Sequence, residues 1–491
     1  MKNFLIKTTI LVSLSNIAFA EDFYQKTRAY RLEPEPDIPS YVRNLSKTQF
    51  EQFRDVEWLD VGLDFRTRYE YRENDFRPWV DTSTGKNVSK YRDAPNDLWL
   101  LRTRAYVGIK DILDPLRFAV EFQDSRSYND HYERANTEVN EFEMVQGYAE
   151  LYFKDVLGKE HPLIIRAGRQ SFELLDKRLF ANNQFRNTSN NFEGFRIRFG
   201  IPQNNWDLDT FGLQPIQRLK YDFDQPEEQT WIYGGVLSVR QWSKFATIQP
   251  YFFGRKTNGN LAANIADMDI YSPGLRIYGP VGNTGFDYDT DFTKQFGRYG
   301  RIANGAQQLL QQDAAGYSLE VGYTFENEWK PRISADYGYG SGDRHGAADG
   351  VNQHMDIFYG FNQPWSRNDY FAWENLHTAK ARIEFTPYKD VKIDTAYNAY
   401  WLASTTGAWK RAGLQDITGQ SGDFMGHEFD IRMRHQINPY VDWSLSYARF
   451  TPGDFTSSLT KVNGPYTTDP TNFFYFEVSV NAFGDGKSKT K

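Results

Sequence analysis

The chain has 491 residues, 40% hydrophobic, 25% charged and 16% aromatic, with no cysteine, a formal net charge of −7 and a mean hydropathy of −0.67. Beyond the first 20 positions no run of about 20 mostly apolar residues occurs, which excludes a polytopic helical membrane protein. A content of 12 Trp, 31 Tyr and 38 Phe excludes a disordered chain, and the missing thiol excludes disulfides, a cysteine nucleophile and cysteine-ligated zinc or iron–sulfur sites.

Residues 1–20 read as a secretory signal: Lys2 and Lys7 precede a short apolar stretch, and Ala18-Phe19-Ala20 offers small residues for cleavage before Glu21-Asp22. The apolar part is too short to span a bilayer, which argues against an anchor helix. Its removal takes two lysines and leaves the mature chain at −9, a balance that argues against nucleic acid as a partner. Residues 21–57 are expected to form an N-terminal periplasmic segment.

From residue 58 onward the dominant period is two. In LDVGLDFRTR (59–68), Leu59, Val61, Leu63 and Phe65 alternate with Asp60, Gly62, Asp64 and Arg66. The same pattern marks eighteen strands, near 58–71, 98–110, 116–126, 144–154, 162–170, 192–200, 205–212, 230–240, 246–255, 271–279, 283–291, 315–326, 331–340, 377–386, 391–402, 427–437, 441–450 and 473–483. Connections after even-numbered strands are short, such as 111–115, 280–282 and 438–440. Those after odd-numbered strands are long and polar: 72–97, 127–143, 171–191, 213–229, 256–270, 292–314, 341–376, 403–426 and 451–472.

Short periplasmic turns alternating with long external loops, and an even strand count, are the pattern of a transmembrane antiparallel β-barrel in the bacterial outer membrane. The expected fold class is therefore all-β, with the barrel at 58–483 and a polar C-terminal tail at 484–491. A periplasmic propeller or lectin would need a repeat near 40 to 50 residues, and none is found.

With the apolar parity facing lipid, the other parity faces the lumen. It carries Arg66, Arg68, Arg102, Arg104, Arg166, Arg196, Arg198, Arg276, Lys380, Arg382, Arg432 and Arg434 against Asp60, Asp64, Glu150, Glu320, Asp336, Glu384, Glu428 and Asp430. Paired R-x-R guanidinium forks suit bidentate carboxylate binding, and rings of Arg and Lys serve anion-selective pores. The same arginines could equally be ion-paired with the acids to stiffen the wall. No H-E-x-x-H, P-loop or nucleophile–base spacing appears, so no enzyme, cofactor or metal is implied. The acidic runs Asp287, Asp289, Asp291 and Asp343, Asp349 are expected to be solvated loop charge rather than a calcium site.

VQGYAEL (145–151), RAGRQSF (166–172), the RLF and FRN elements at 178–187, FEGFRIRF (192–199), ENLHTAKARIEFTP (374–387), GHEFDIRMRHQINP (426–439) and SYARFTPGDF (446–455) resemble the alginate export family of outer-membrane porins. The resemblance implies a monomeric eighteen-stranded barrel with an arginine-lined lumen that passes a polyuronate, and marks Arg166, Arg169, Gln170, Arg196 and Arg434 as matching positions. Arg169 lies off the lumen parity, so it requires a bulge or a rim position. Exporting relatives are similar in carrying a long periplasmic plug loop before the penultimate strand, whereas here that connection is INPY (437–440).

The expected function is passive diffusion of an anionic oligosaccharide or other organic anion through an outer-membrane pore; the alternatives are an outer-membrane hydrolase or a general non-specific porin. Restriction is expected only from external loops, with 341–376, 72–97 and 403–426 as candidates.

Overall fold

A computed structural model of the chain describes residues 38–76, 79–81, 86–88, 95–132, 135–243, 245–346, 348–462 and 469–484. The expected secretory signal at 1–20, the expected periplasmic segment as far as residue 37 and the expected tail beyond 484 lie outside them. Eighteen strands close into one antiparallel barrel: β1 Leu59–Glu73, β2 Asn96–Ile109, β3 Leu116–Tyr128, β4 Asn140–Phe153, β5 Leu163–Gln170, β6 Phe192–Phe199, β7 Trp206–Gln217, β8 Thr230–Ser243, β9 Ala246–Thr257, β10 Met268–Pro280, β11 Phe286–Ala303, β12 Ala306–Thr324, β13 Arg332–Gly340, β14 Leu376–Tyr388, β15 Val391–Trp401, β16 Phe424–Asn438, β17 Val441–Pro452 and β18 Thr471–Asn481. The seam pairs β1 with β18, from Asp64 opposite Asn481 to Glu73 opposite Asn472, so no edge of the barrel is left open along that stretch.

The alternation sets the two faces. Leu63 and Phe65 are each 41% exposed and Phe195 is 61% exposed, while Asp60, Asp64, Arg66 and Arg68 on the opposite parity are buried inside. Apolar residues outward and charge inward is the arrangement a bilayer demands of a closed sheet.

Loops alternate short and long with one correction. Residues 292–314 are not a loop: β11 and β12 run on through this stretch and are joined by Asn304-Gly305, with φ of 51° and 75°. Asn-Gly is the dipeptide that accepts two successive left-handed residues, so a two-residue hairpin forms and the strands extend past the others. Asp287, Asp289 and Asp291 accordingly sit on β11 with their side chains buried, not in an acidic loop.

Two long connections fold back into the barrel. Residues 171–191 bury Phe172, Leu174, Leu179 and Phe180, and residues 341–375 bury Met355, Phe358, Trp365, Tyr370, Phe371 and Trp373. Phe180 packs on Phe211 of β7 and Phe253 of β9, with ring centroids 5.6 and 4.9 Å away. The two segments hold each other: the Ala181 N–H donates to the Tyr359 carbonyl at 3.1 Å, Phe361 N–H to Lys177 at 2.8 Å, and Arg186 pairs with Asp369 at 3.0 Å. The expected inward loop 341–376 is therefore joined by 171–191, which the sequence reading did not single out. Residues 402–423 close over the plug, Trp409 stacking on Phe371 at 4.7 Å, and Phe76 from the loop after β1 packs on Tyr370 at 4.8 Å. Much of that last loop, at 77–78, 82–85 and 89–94, lies outside the described residues. Burying these rings gives the barrel a hydrophobic core of its own toward the external end. A short helix, α1 Asp454–Val462, caps this side with Phe455 buried.

Candidate functional site

Most of the interior arginines are held in short ion pairs made across neighbouring staves. Arg166 on β5 meets Glu150 on β4 at 2.6 Å, Arg196 on β6 meets Asp209 on β7 at 2.6 Å, and Arg276 on β10 meets Asp289 on β11 at 2.7 Å. Arg332 on β13 sits among Asp287, Glu320 and Glu384 at 2.6 to 2.9 Å. Register explains the pairing, because antiparallel neighbours place directly opposed or diagonal side chains on one face within reach of a long guanidinium. Six buried carboxylates outside the parity set, Glu121, Glu143, Asp209, Asp287, Asp289 and Asp394, supply arginine partners, while Asp291 accepts from the Tyr251 hydroxyl at 2.8 Å. Cationic side chains that line a common cavity lie along one arc of the wall.

That arc is formed by β16, β17, β18, β1 and β2, which follow one another around the wall. A cavity of about 270 Å³ opens against it, lined by Arg66, Arg102, Arg104, Lys177, Arg367, Arg432 and Arg434 and by the carboxylates Asp64, Glu173, Asp442 and Glu477. Seven cations face four anions. Asp64 pairs with Arg104 at 3.1 Å but lies 3.9 Å from Arg102, and Glu477 lies 3.6 Å from Arg66 and 3.2 Å from Arg68. The tip of the inward loop answers part of the surplus with peptide oxygens: Arg66 donates to the carbonyls of Gln184 and Arg186, each at 2.8 Å, and Arg68 to that of Phe185. Arg102 and Arg104 donate to the Gln184 side-chain oxygen at 3.3 and 3.0 Å. Among the described residues, the Nε atoms of Arg66, Arg102 and Arg367 find no hydrogen-bond partner.

Asp394 on β15 anchors the other side of the arc, contacting Arg432 at 3.0 Å, Arg367 at 3.1 Å and Arg434 at 3.8 Å. Of the sequence-derived site residues, Arg66, Arg102, Arg104, Arg432 and Arg434 come together at the cavity, with Arg68 beside them. Arg166, Arg196, Arg198, Lys380 and Arg382 are placed elsewhere in the wall, Lys380 donating to the Pro364 carbonyl of the plug. Arg169 is buried through a switch of parity at Gly168, whose φ is 122°, and pairs with Glu143 at 2.6 Å beside the fully buried Gln170. Lys177, Arg367 and Gln184 went unrecognised as site residues. The RLF and FRN elements at 178–187 were the available signal, since they lie in a loop yet belong to the motif set.

An alginate export family profile matches residues 57–468, which covers the barrel almost end to end. The chain belongs to the alginate export family. Among solved structures it is similar to Pseudomonas aeruginosa OpdQ, with a TM-score of 0.53 and 11% identity over 86% of this chain and 97% of that one. It is also similar to Pseudomonas aeruginosa OccK8 (OprE), with a TM-score of 0.54 and 13% identity over 86% and 98%, and to Acinetobacter baumannii OccAB1, with 0.54 and 11% over 89% and 99%. At these identities the likeness shows the fold. No curated protein sequence matches the chain. This alginate export family member is an outer-membrane porin, its lipid-facing wall supplied by the apolar parity.

Proposed function

We propose that the porin passes organic anions, alginate-like uronates among them, by passive, anion-preferring diffusion along the β16–β2 arc, acting as a monomer and without bond chemistry. The observation that carries this reading is the cavity in which seven cationic side chains meet four carboxylates. Net positive charge in a narrow aqueous path raises the local concentration of anions and repels cations. The arginines in short ion pairs elsewhere stiffen the wall and contribute little field, since each is neutralised by its own carboxylate. Reversal potentials across a planar bilayer under a salt gradient test the reading. Anion preference is expected, with block by uronate monomers and short oligomers; cation preference refutes it. Uronate oligomers incubated with the porin should be recovered intact, and their cleavage would point instead to a hydrolase.

A further inference from the structure

Residues 39–44 enter the barrel at its periplasmic mouth. Val42–Asn44 runs antiparallel to Asp60–Gly62 of β1, on the edge left vacant below Asn481 where β18 ends. The short strand is fastened by Asn44, whose side-chain amide donates to Asp60 at 2.9 Å and to the Glu57 carbonyl at 2.6 Å. The step into this strand turns Tyr41 into the interior, where it is 3% exposed. Its hydroxyl donates to Glu121 on β3 at 2.6 Å, and the Arg104 guanidinium lies over its ring at 4.5 Å. The ring needs the space above Gly62, because a Cβ there would stand 2.7 Å from it. Ser40 and Tyr41 line the arginine cavity from this side, and Pro39 borders a second, smaller void beyond it.

The turn at 437–440 is too short to reach across the lumen; the segment that enters the periplasmic mouth comes instead from the N-terminal side of β1, where Val42–Asn44 pairs with that strand and Tyr41 reaches Glu121 on β3. We infer that Pro39–Asn44 is the periplasmic constriction of the channel and that Tyr41 is the specificity-determining residue that sets the size of solute able to pass it. The inference rests on the channel reading and not on anion preference. Three contacts of different kinds hold the ring in the path: a charge-assisted hydrogen bond, a cation–π contact and a backbone ladder. A solute crossing between the cavity and the periplasm must pass the ring or displace it.

The test uses the full mature chain in planar bilayers. Tyr41→Ala should raise single-channel conductance about two-fold or more and admit larger polyethylene glycols in polymer-exclusion measurements. Tyr41→Phe, which keeps the ring and loses the bond to Glu121, should stay close to wild type in exclusion size. Ser40→Cys introduces the single thiol of the chain, and a methanethiosulfonate reagent added from the periplasmic side should cut the current. Unchanged conductance and exclusion size in a folded Tyr41→Ala barrel overturn the inference. If that variant fails to fold, full labelling of Ser40→Cys without loss of current overturns it instead. A wild-type chain that conducts nothing would remove the channel reading and this inference together, whereas cation preference would remove only the anion reading and leave the Tyr41 comparison standing.

Discussion

Arg102 offers the cleanest separation between a field-producing arginine and a structural one. Its guanidinium is 4% exposed, its nearest carboxylate is Asp64 at 3.9 Å, its bonds to Gln184 are long at 3.3 and 3.4 Å, and it borders the cavity. Arg102→Gln therefore removes a charge that acts on the cavity while leaving Asp64 paired with Arg104 at 3.1 Å. One unit charge about 4 Å from a bound carboxylate is worth about 1 kcal/mol at the screening of water and about 4 kcal/mol at the screening typical near a protein surface. The cavity is open to solvent, so the lower figure applies, and block by galacturonate should weaken about five-fold. Arg276→Gln is the control. Its buried partner Asp289 would lose that guanidinium, so stability should drop by about 3 to 5 kcal/mol while galacturonate block stays at the wild-type value, since Arg276 does not line the cavity. Block comes from bilayer recordings, and the temperature of the heat-modifiable gel shift reports stability. Equal loss of block in the two variants would refute the reasoning and leave the arginines as wall braces alone.

Asp394→Asn should lower that temperature strongly, by the equivalent of about 3 to 5 kcal/mol, because three guanidinium groups at 3.0 to 3.8 Å lose their shared counter-charge; a shift too small to measure would show that Asp430 and water compensate. Replacing residues 356–370 by a short Gly-Ser linker should raise conductance measurably, since this stretch packs Phe358 and Trp365 inside the barrel, and unchanged conductance would place the limiting constriction elsewhere. The external loops should loosen on acidification. Burial would raise the Glu374 carboxyl, but the His354 hydrogen bond at 2.8 Å and the charge of Lys410 at 3.6 Å hold it down at about 2, while burial lowers His354 below its usual 6.5. Both folded-state values lie below the unfolded ones, so the contact is complete above about pH 6.5. The His354 share is then lost as pH falls below 6.5 and the Glu374 share between about 4.5 and 2. Protection of residues 402–414 against hydrogen exchange, taken relative to the intrinsic rate at each pH, should fall accordingly, and pH-independent protection would count against the His354–Glu374 link as their tether.

Strand number, strand faces and the side of the long loops were legible because each depends on one local fact, whether a residue meets lipid or the interior, and a strand writes that fact into the sequence every second position. Leu63 and Arg66 needed no distant partner to be assigned. The long β11–β12 hairpin was misread although its signal, Asn304-Gly305, is also local; polar residues at the strand ends, outside the lipid band, lose the alternation that marks the rest. Tertiary structure alone decided which arginines meet a close carboxylate and which line the cavity. Arg102 and Arg276 look alike in sequence, and their difference comes from registers that set Asp289 against one and give Asp64 to the neighbour of the other. It also decided that residues 171–191 and Tyr41 lie inside. A closed barrel offers a second buried surface to any segment that can reach it, and a polar loop or an N-terminal strand gives no periodic sign of having done so, because its burial is set by the curvature of the wall around it.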